Sequence, residues 1–405
     1  MKPITLTKKT KLGFIDVPLP ASKSESNRVL IIDALTNGEN QISNLAEARD
    51  TQTMISLLKG DPDQLDVLDA GTTMRFLTAY AAISNKHKTL TGTPRMCERP
   101  IGILVDALRS IGAKVEYLEN EGFPPLQTQG FDRQISKRLL IRGDVSSQYI
   151  SALLMIAPVL PEGLELEITG KIGSRTYIQM TLELMKQFGI VYTWEGNIIW
   201  VAPQKYQPTA YAVESDWSGA SYWFSLLACA DGGEILLRGL KKDSLQGDAK
   251  IVDIMDRLGV QSEFTDQGVY LRKKKVEGLA HFDFTHCPDL AQTVALTCAL
   301  LGQTSEFTGL ESLRIKETDR ILALQQELAK IQATLVEGEN GSFTLVPSRE
   351  IPNSVFIDTY DDHRMAMAFM PLATRAEVTF EDREVVNKSY PSFWNHCVLA
   401  GLLVH

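Results

Sequence analysis

The chain has 405 residues and a mass of 45.0 kDa, long enough for two or three domains with buried cores. Hydrophobic residues make up 44% and charged residues 22% of it, which excludes a disordered tail or a coiled-coil rod. The net charge of −9 argues against non-specific nucleic-acid binding, and five cysteines without a C-x-x-C pair argue against a disulfide framework or a zinc ribbon. With neither an apolar run of the roughly 20 residues that a membrane span needs nor a secretory leader, we expect a cytoplasmic protein without membrane or nucleic-acid partners.

One pattern occurs six times along the chain: a loop of small, polar or charged residues that opens an apolar helix. The six loops are anchored at Ser24, Gly71, Val145, Asp216, Asp289 and Asp361, at intervals of 47, 74, 71, 73 and 72 residues. A helix without a polar face belongs in the interior of a domain. The pattern therefore predicts six buried helices in six repeated units.

A second series of helices is amphipathic, and each of these helices ends before residues that alternate as in a strand. The joins lie at Gly112, Gly189 and Gly259, and Gln332 takes the same place in the next unit. Six units of βαββαβ type are implied, with the amphipathic helices covering the apolar ones. Six units divide naturally into three and three, with seams near residues 18 and 215.

Basic residues stand at the start of several predicted helices, where the helix dipole disfavours them. They are Lys23, Arg28, Arg75, Arg95, Arg99, Lys316, Arg320 and Arg364, with Lys316 and Arg320 predicted in the first turn of one helix. A single surface base is usually just solvated. Together with the nearby hydroxyls and glycines, these residues indicate helix starts that converge on two or more anionic groups.

Two acidic residues, Asp289 and Glu317, lie beside this basic set, each at the predicted start of a different helix. Both are candidates for proton transfer. Glu317 could instead form a plain ion pair with Arg320, three residues on. Asp216, Asp361 and Asp362 are interpreted as helix caps. Because no serine-hydrolase, zinc-protease, P-loop or dinucleotide motif is present, we expect chemistry without a metal or nucleotide cofactor.

Six segments in order, residues 20–28, 69–75, 94–102, 145–148, 314–320 and 361–367, resemble the 5-enolpyruvylshikimate-3-phosphate synthase family. The resemblance implies transfer of the enolpyruvyl group of phosphoenolpyruvate to the 5-hydroxyl of shikimate 3-phosphate, with release of phosphate. It also implies a monomer of two inside-out α/β barrel-like domains, each of three βαββαβ units with buried helices. Residues 19–215 would form one domain and residues 1–18 with 216–405 the other, with the active site in the cleft between them.

The resemblance also assigns substrate ligands. Those for shikimate 3-phosphate are Lys23, Ser24, Arg28, Ser146, Ser147, Gln148, Ser174, Tyr177, Asp289 and Lys316. Those for phosphoenolpyruvate are Lys23, Gly71, Arg99, Gln148, Arg320, Arg364 and Lys388. Hydroxyls and lysine suit a phosphate monoester, whereas the planar fork of arginine can bind a carboxylate or a phosphate through two hydrogen bonds.

The implied reaction is addition followed by elimination through a tetrahedral ketal. Asp289 is predicted to act near the hydroxyl, and Glu317 with Lys23 to supply the proton that reaches carbon, with the roles exchanged or shared in the elimination. Because Gly71 is retained, we expect inhibition by glyphosate. Phe76 stands near this glycine, where many family members have proline.

Two alternatives remain open at this point. One is the related UDP-N-acetylglucosamine enolpyruvyl transferase, which typically has Lys-Asn where this chain has Lys23-Ser24, and whose catalytic cysteine has a different spacing from that of Cys97 and Arg99. The other is a non-catalytic anion-binding relative, which is expected to have lost its acid–base groups. Lys23, Asp289 and Glu317 are all present.

Overall fold

The computed structural model describes residues 1–84, 86–170, 172–278, 280–347 and 350–402. In the described part of the chain the helices are α1 (Lys23–Leu35), α2 (Arg49–Gly60), α3 (Gly71–Ile83), α4 (Pro94–Cys97), α5 (Gly102–Ile111), α6 (Ser147–Ile156), α7 (Arg175–Gln187), α8 (Trp217–Cys229), α9 (Ile251–Arg257), α10 (Ala291–Leu300), α11 (Arg320–Lys330), α12 (His363–Phe369) and α13 (Phe393–Leu399).

The strands of the same described part are β1 (Ile4–Leu6), β2 (Phe14–Val17), β3 (Gln41–Ser43), β4 (Gln64–Asp66), β5 (His87–Thr91), β6 (Val115–Tyr117), β7 (Leu126–Gln129), β8 (Arg138–Arg142), β9 (Leu164–Thr169), β10 (Tyr192–Glu195), β11 (Ile198–Val201), β12 (Ala210–Ala212), β13 (Glu234–Arg238), β14 (Val260–Thr265), β15 (Gly268–Lys273), β16 (Ala280–Asp283), β17 (Ser305–Thr308), β18 (Thr334–Glu337), β19 (Phe343–Val346), β20 (Ser354–Ile357) and β21 (Glu377–Phe380).

The chain divides into two compact units, after Ala21 and after Val213. We call Ser22–Val213 the central unit, and Met1–Ala21 together with Glu214–His405 the terminal unit. The corresponding seams predicted from the sequence lie near residues 18 and 215. Each unit has its own sheets and its own buried helices, and each contains some of the residues predicted to bind substrate.

The apolar helices are buried within each unit. In the central unit α1, α3 and α6 pack against one another, and in the terminal unit α10 packs against both α8 and α12. All ten residues of α10 are buried, as are twelve of the thirteen residues of α8. By contrast, α5 and α7 each bury one face. This division follows from the sequence, since only the second series has a polar face to present to water.

Among the residues that the structure describes, each unit contains three small sheets. Those of the central unit have the strand orders β12-β3, β4-β5-β7-β6 and β10-β11-β9-β8, and those of the terminal unit β14-β15-β13-β2, β16-β17-β19-β18 and β1-β21-β20. In the β16 sheet, β16 and β17 are parallel, and β18 and β19 then form an antiparallel hairpin.

The order of elements in a repeat is βαβαββ, as in β8-α6-β9-α7-β10-β11, and the predicted order βαββαβ is wrong. The reason is strand direction. Parallel strands such as β8 and β9 need a helical crossover, whereas the antiparallel strands β10 and β11 need only a tight turn. Both helices of a repeat therefore come before its hairpin.

The amphipathic helices of the repeats end in the same way. One or two residues after the last helical residue, the chain has a positive φ at Gly112 (111°), Gly189 (83°) and Gly259 (93°), and Gln332 adopts the same conformation with a φ of 61°. The Gln332 N–H donates to Ala329 O at 2.9 Å, and the next N–H donates back to Leu328 O at 3.0 Å. This helix ending satisfies carbonyls of the last turn, so the repeat is maintained where its glycine is missing.

Candidate functional site

In the central unit Lys23 opens α1 and pairs with a carboxylate that the sequence analysis missed. The Lys23 Nζ lies 3.1 Å from Asp50 Oδ2, and the Asp50 side chain is only 4% exposed. Asp50 stands in the first turn of α2, where an acidic residue is ordinary, so its position gives no sign of this pairing. Thr73 Oγ1 donates to Asp50 O at 3.2 Å, which connects the start of α1 through α2 to the start of α3.

Arg28 is buried and is used mainly to join helices. Its Nε donates to Thr181 Oγ1 at 2.7 Å, and its two terminal nitrogens donate to Ser24 O at 2.7 Å and Ser151 Oγ at 3.1 Å. Burial lowers the pKa of Arg28 to about 10, which still leaves it charged at neutral pH. The structure thus shows Arg28 holding α1 against α6 and α7, beside the carbonyl of Tyr177.

The N-terminus of α3 faces the guanidinium of Arg99. A methyl group added at Gly71 would lie 2.7 Å from Nη1 and 2.9 Å from Nη2 of Arg99, closer than real side-chain contacts allow. Glycine therefore permits the close approach of a cation to the backbone at this helix start. The structure explains why the sequence has a glycine here, next to a residue predicted to bind phosphoenolpyruvate.

The segment that carries Arg99 is fixed by a second arginine. Arg75 is 3% exposed, and its Nη2 donates to Pro100 O at 2.8 Å while its Nη1 donates to Gly71 O at 3.3 Å. Tyr149 Oη donates to the same Pro100 carbonyl at 2.6 Å. Arg75, which sequence analysis grouped with the anion-facing cations, thus positions the segment before α5.

The starts of α6 and α7 carry the other predicted residues of the central unit. Ser146 caps α6 by accepting from Gln148 N at 3.3 Å, and Gln148 Nε2 donates to Thr72 Oγ1 at 3.1 Å, so the starts of α6 and α3 are connected. Ser147 follows the cap and is buried. Ser174 precedes α7 with a φ of 49°, and the Tyr177 ring lies 5.8 Å from the Arg28 guanidinium.

In the terminal unit Arg320 is the centre of a buried network of carboxylates. It is 2% exposed and donates from Nε to Asp362 Oδ2 at 2.6 Å, from Nη1 to Asp289 Oδ1 at 3.0 Å and from Nη2 to Glu317 Oε2 at 2.8 Å. Asp362 caps α12 through Arg364 N, as predicted, and also holds Arg320, a role that the sequence analysis missed.

The helix expected to begin at Lys316 begins instead at Arg320. Asp319 is its N-cap and accepts from two backbone N–H groups, at Ile321 and Leu322. Lys316 and Glu317 lie in the preceding loop, after the short 3-10 helix Glu311–Ile315. Asp is a better N-cap than Lys or Glu, which accounts for the later start. The ion pair between Glu317 and Arg320 therefore connects a loop to a helix start, and is not a pair on one helix face.

Asp289 lies among three cations. Its carboxylate is 3.0 Å from Arg320 and from Arg364, and 3.7 Å from Lys316 Nζ. Burial alone would raise the pKa of Asp289, but Arg364, Lys316 and Arg320 outweigh it and hold the pKa well below its usual range. The buried Lys388 approaches Glu317 at 3.8 Å. The structure thus brings together all the predicted residues of this unit.

No group of three or more His, Cys, Asp or Glu side chains suited to a metal ion occurs within residues 1–84, 86–170, 172–278, 280–347 and 350–402. Arg28 and Arg75 join elements of the central unit, and Lys23, Arg320 and Arg364 each pair with a carboxylate of the chain. Lys and Arg at helix starts can bind carboxylate or phosphate through charge-assisted hydrogen bonds, and the helix N–H groups add to the attraction. Fold and site together define a protein of repeated α/β units with basic residues at the starts of several helices.

Known proteins give this class a family. A family profile described as EPSP synthase (3-phosphoshikimate 1-carboxyvinyltransferase) matches residues 13–61 and 59–397. The 3-phosphoshikimate 1-carboxyvinyltransferase of Bacteroides fragilis (strain YCH46) is 48% identical over 391 residues, 95% of each chain. That of Vibrio cholerae serotype O1 (strain M66-2) is 37% identical over 410 residues, covering 94% of this chain and 95% of the relative. The chain belongs to the EPSP synthase family, which confirms the resemblance found in the sequence.

The fold is confirmed by a solved structure of EPSP synthase from Acinetobacter baumannii, with a TM-score of 0.81 over 100% of this chain and 99% of that chain at 19% identity. The names of the relatives favour the shikimate 3-phosphate interpretation over the two alternatives. Within the described ranges, which leave out residues 85, 171, 279, 348, 349 and 403–405, no helix is long and apolar enough to cross a membrane.

Proposed function

We propose that the protein transfers the enolpyruvyl group of phosphoenolpyruvate to the 5-hydroxyl of shikimate 3-phosphate and releases phosphate. The observation that carries the proposal is the environment of Asp289: a buried carboxylate held 3.0 Å from each of two arginines, in a chain of the EPSP synthase family. Such a site pairs a proton acceptor with cations that can bind an acidic substrate.

The geometry of each cationic side chain suggests which of the two substrates it binds. Arg99, with its guanidinium against the start of α3, and Arg364, at the start of α12, are proposed to bind phosphoenolpyruvate, because planar forks suit carboxylate and phosphate oxygens. Lys23 and the hydroxyls of Ser146 and Ser174 are proposed to bind shikimate 3-phosphate. The remaining ligands are those that the family resemblance assigns, and we propose that residues of both units act on the same pair of substrates.

Asp289 is proposed as the group that accepts the hydroxyl proton. Its low pKa keeps it ionised at neutral pH, but the same cations make it a weak base. Negative substrate groups bound to Arg364 and Lys316 would offset their positive charge and raise the pKa of Asp289 toward a value useful for proton transfer. Substrate binding thereby activates the base only when both partners of the reaction are present.

The addition step forms a bond between the 5-oxygen of shikimate 3-phosphate and C2 of phosphoenolpyruvate, while a proton adds to C3. Glu317 with Lys23 is proposed to deliver that proton. In the elimination, a proton leaves the new methyl group, the C2–O bond to phosphate breaks, and phosphate departs. The carboxyl groups of Asp289 and Glu317 share or exchange these proton transfers.

The test is phosphate release from phosphoenolpyruvate by the full chain, measured with shikimate 3-phosphate, with UDP-N-acetylglucosamine, or with no acceptor. We expect phosphate release only when shikimate 3-phosphate is the acceptor. Asp289→Ala should lower kcat by about 10² to 10⁴, as expected for a group in general acid–base catalysis. The matched control is Asp253→Ala, at a carboxylate of the same unit that is 68% exposed and pairs only with Lys250 among the described residues.

Three results would contradict the proposal: release that needs no acceptor, preference for the nucleotide sugar, or an Asp289→Ala variant within about tenfold of the parent. Tight substrate binding without any release would favour a non-catalytic relative. We further propose a cytoplasmic monomer, which light scattering on the purified chain and cell fractionation would test.

A further inference from the structure

A buried carboxyl group lies behind Arg364 and is not among the residues that the family resemblance assigns. Asp248 belongs to the short 3-10 helix Gly247–Lys250 and is 4% exposed. Its Oδ2 accepts the hydroxyl proton of Ser218, which stands in the first turn of α8. Ser218 in turn accepts from Arg364 Nη2 at 3.4 Å.

The hydroxyl of Ser218 has one hydrogen atom. The direction of this O–H bond decides whether Arg364 faces an oxygen lone pair, which accepts a hydrogen bond, or the hydrogen atom, which cannot. While Asp248 accepts a hydrogen bond from the Ser218 hydroxyl, the lone pairs of the Ser218 oxygen face Arg364. The same Nη2 atom of Arg364 also donates to Asp289 Oδ2 at 3.0 Å. Ser218 and Asp289 therefore fix the position of this nitrogen from two sides.

The charge of Asp248 can change in the physiological pH range. Burial, together with the negative charges of Asp289 and Asp216, raises the pKa of Asp248 to about 6 against the opposing effects of Arg364 and the Ser218 hydrogen bond. The groups that face it from its surroundings are Asp216, Ser218, Cys287, Asp289 and Arg364, with Lys250 on its own helix. A protonated Asp248 would itself donate to Ser218, so the hydroxyl proton would no longer be held away from Arg364.

We propose that Asp248, acting through Ser218, is a positioning residue that sets the orientation of Arg364 for binding phosphoenolpyruvate. This rests on the proposed function, in which Arg364 is a phosphoenolpyruvate ligand. Asp248 does not touch the substrate in this proposal, and it takes part in no bond that forms or breaks. Asp248 orients the Ser218 hydroxyl, whose oxygen accepts a hydrogen bond from Arg364, and it thereby affects the affinity for phosphoenolpyruvate.

The test compares the parent with Asp248→Asn, Ser218→Ala and the double variant, by steady-state kinetics between pH 5.5 and 8. In the parent, the KM for phosphoenolpyruvate should rise as the pH falls through about 6. Each single variant should raise that KM about three- to tenfold at pH 7.5, as for loss of one hydrogen bond, and should leave mainly the pH dependence that the substrate phosphate, with a second pKa of about 6, produces in every variant. The double variant should equal Ser218→Ala, because both changes remove one relay.

The kcat and the KM for shikimate 3-phosphate should change less than twofold in these variants. Asp253→Asn, at an exposed carboxylate on the neighbouring α9, is the matched control and should behave as the parent. A KM for phosphoenolpyruvate that keeps its value and pH profile in both single variants would overturn the proposal. Equal losses in kcat and in both KM values, with a lower melting temperature, would overturn it as well, since they indicate a structural role.

A second measurement does not depend on turnover. The Arg364 side-chain ¹⁵N resonances of the labelled protein should shift with pH near 6 in the parent, shift less in Ser218→Ala, where the Asp248 charge acts only through space, and stay constant in Asp248→Asn. A parent without phosphate release would refute the proposed function while these spectra still decide whether Asp248 orients Arg364. Absence of the shift in an active parent would refute only the positioning role.

Discussion

Replacement of Gly71 by alanine tests how closely a cation must approach the start of α3. The new methyl group would lie 2.7 Å from Nη1 of Arg99, and an ordinary van der Waals contact requires at least 3.4 Å. The contact is with the far end of a long side chain, so the guanidinium can move while the backbone stays in place. We therefore expect the fold to tolerate the change and Arg99 to be displaced by several tenths of an ångström.

The functional cost follows from that displacement. A misplacement of about 1 Å at a positioning group can cost 10²-fold in rate, so the smaller shift predicts a loss of about 10- to 100-fold in kcat/KM for phosphoenolpyruvate. This corresponds to roughly 1.4 to 2.7 kcal/mol of transition-state stabilisation. Inhibition by glyphosate should weaken as well, since it would meet the same displaced cation. Alanine is a better helix former than glycine, so the melting temperature should be unchanged or raised.

The assay is steady-state kinetics with each substrate varied in turn, together with thermal unfolding. Gly60→Ala is a suitable control, because the added methyl in the last turn of α2 would meet only Pro62 Cδ at 3.7 Å. Parent-like kcat/KM for phosphoenolpyruvate in Gly71→Ala would refute the close-approach argument. A large loss of stability would refute the claim that only the side chain moves.

Three further predictions concern stability. Gln332→Gly should stabilise the protein by about 1 kcal/mol in urea unfolding, since glycine relieves the left-handed conformation at a φ of 61°; a destabilised variant would contradict this. Asp362→Asn should destabilise it by roughly 3 kcal/mol, because buried Arg320 loses a charged partner, whereas the exposed neighbour Asp361→Asn should change stability by less than about 0.5 kcal/mol. Asp248→Asn should gain stability relative to the parent as the pH rises from about 4 to 7. The folded-state pKa of Asp248 is raised to about 6, above its unfolded value near 3.9, so this carboxyl stabilises the fold at low pH and loses that contribution as the pH rises through 6. Parallel pH profiles of the free energy of unfolding in parent and variant would contradict this.

The repeats could be predicted from the sequence because they are written in local patterns. Apolar helices such as α10 have no polar face, and a glycine such as Gly112 or Gly189 marks the end of an amphipathic helix with a positive φ. These signals extend over a few residues and need no knowledge of the rest of the chain. Basic residues at helix starts, Lys23 and Arg364 among them, were visible in the same way, because they conflict with the local helix dipole.

The partners of those basic residues were decided only by the tertiary structure. Lys23 meets Asp50, Arg320 meets Asp362, and Arg364 meets both Asp289 and the Ser218 hydroxyl that Asp248 orients. These partners are 27 to 146 residues apart in the chain. A charge in the sequence shows that a partner is needed but not which residue supplies it, since packing of the repeats sets that distance. The order of helices and strands within each repeat also depends on the tertiary structure, because it depends on which neighbouring strands are parallel and which are antiparallel.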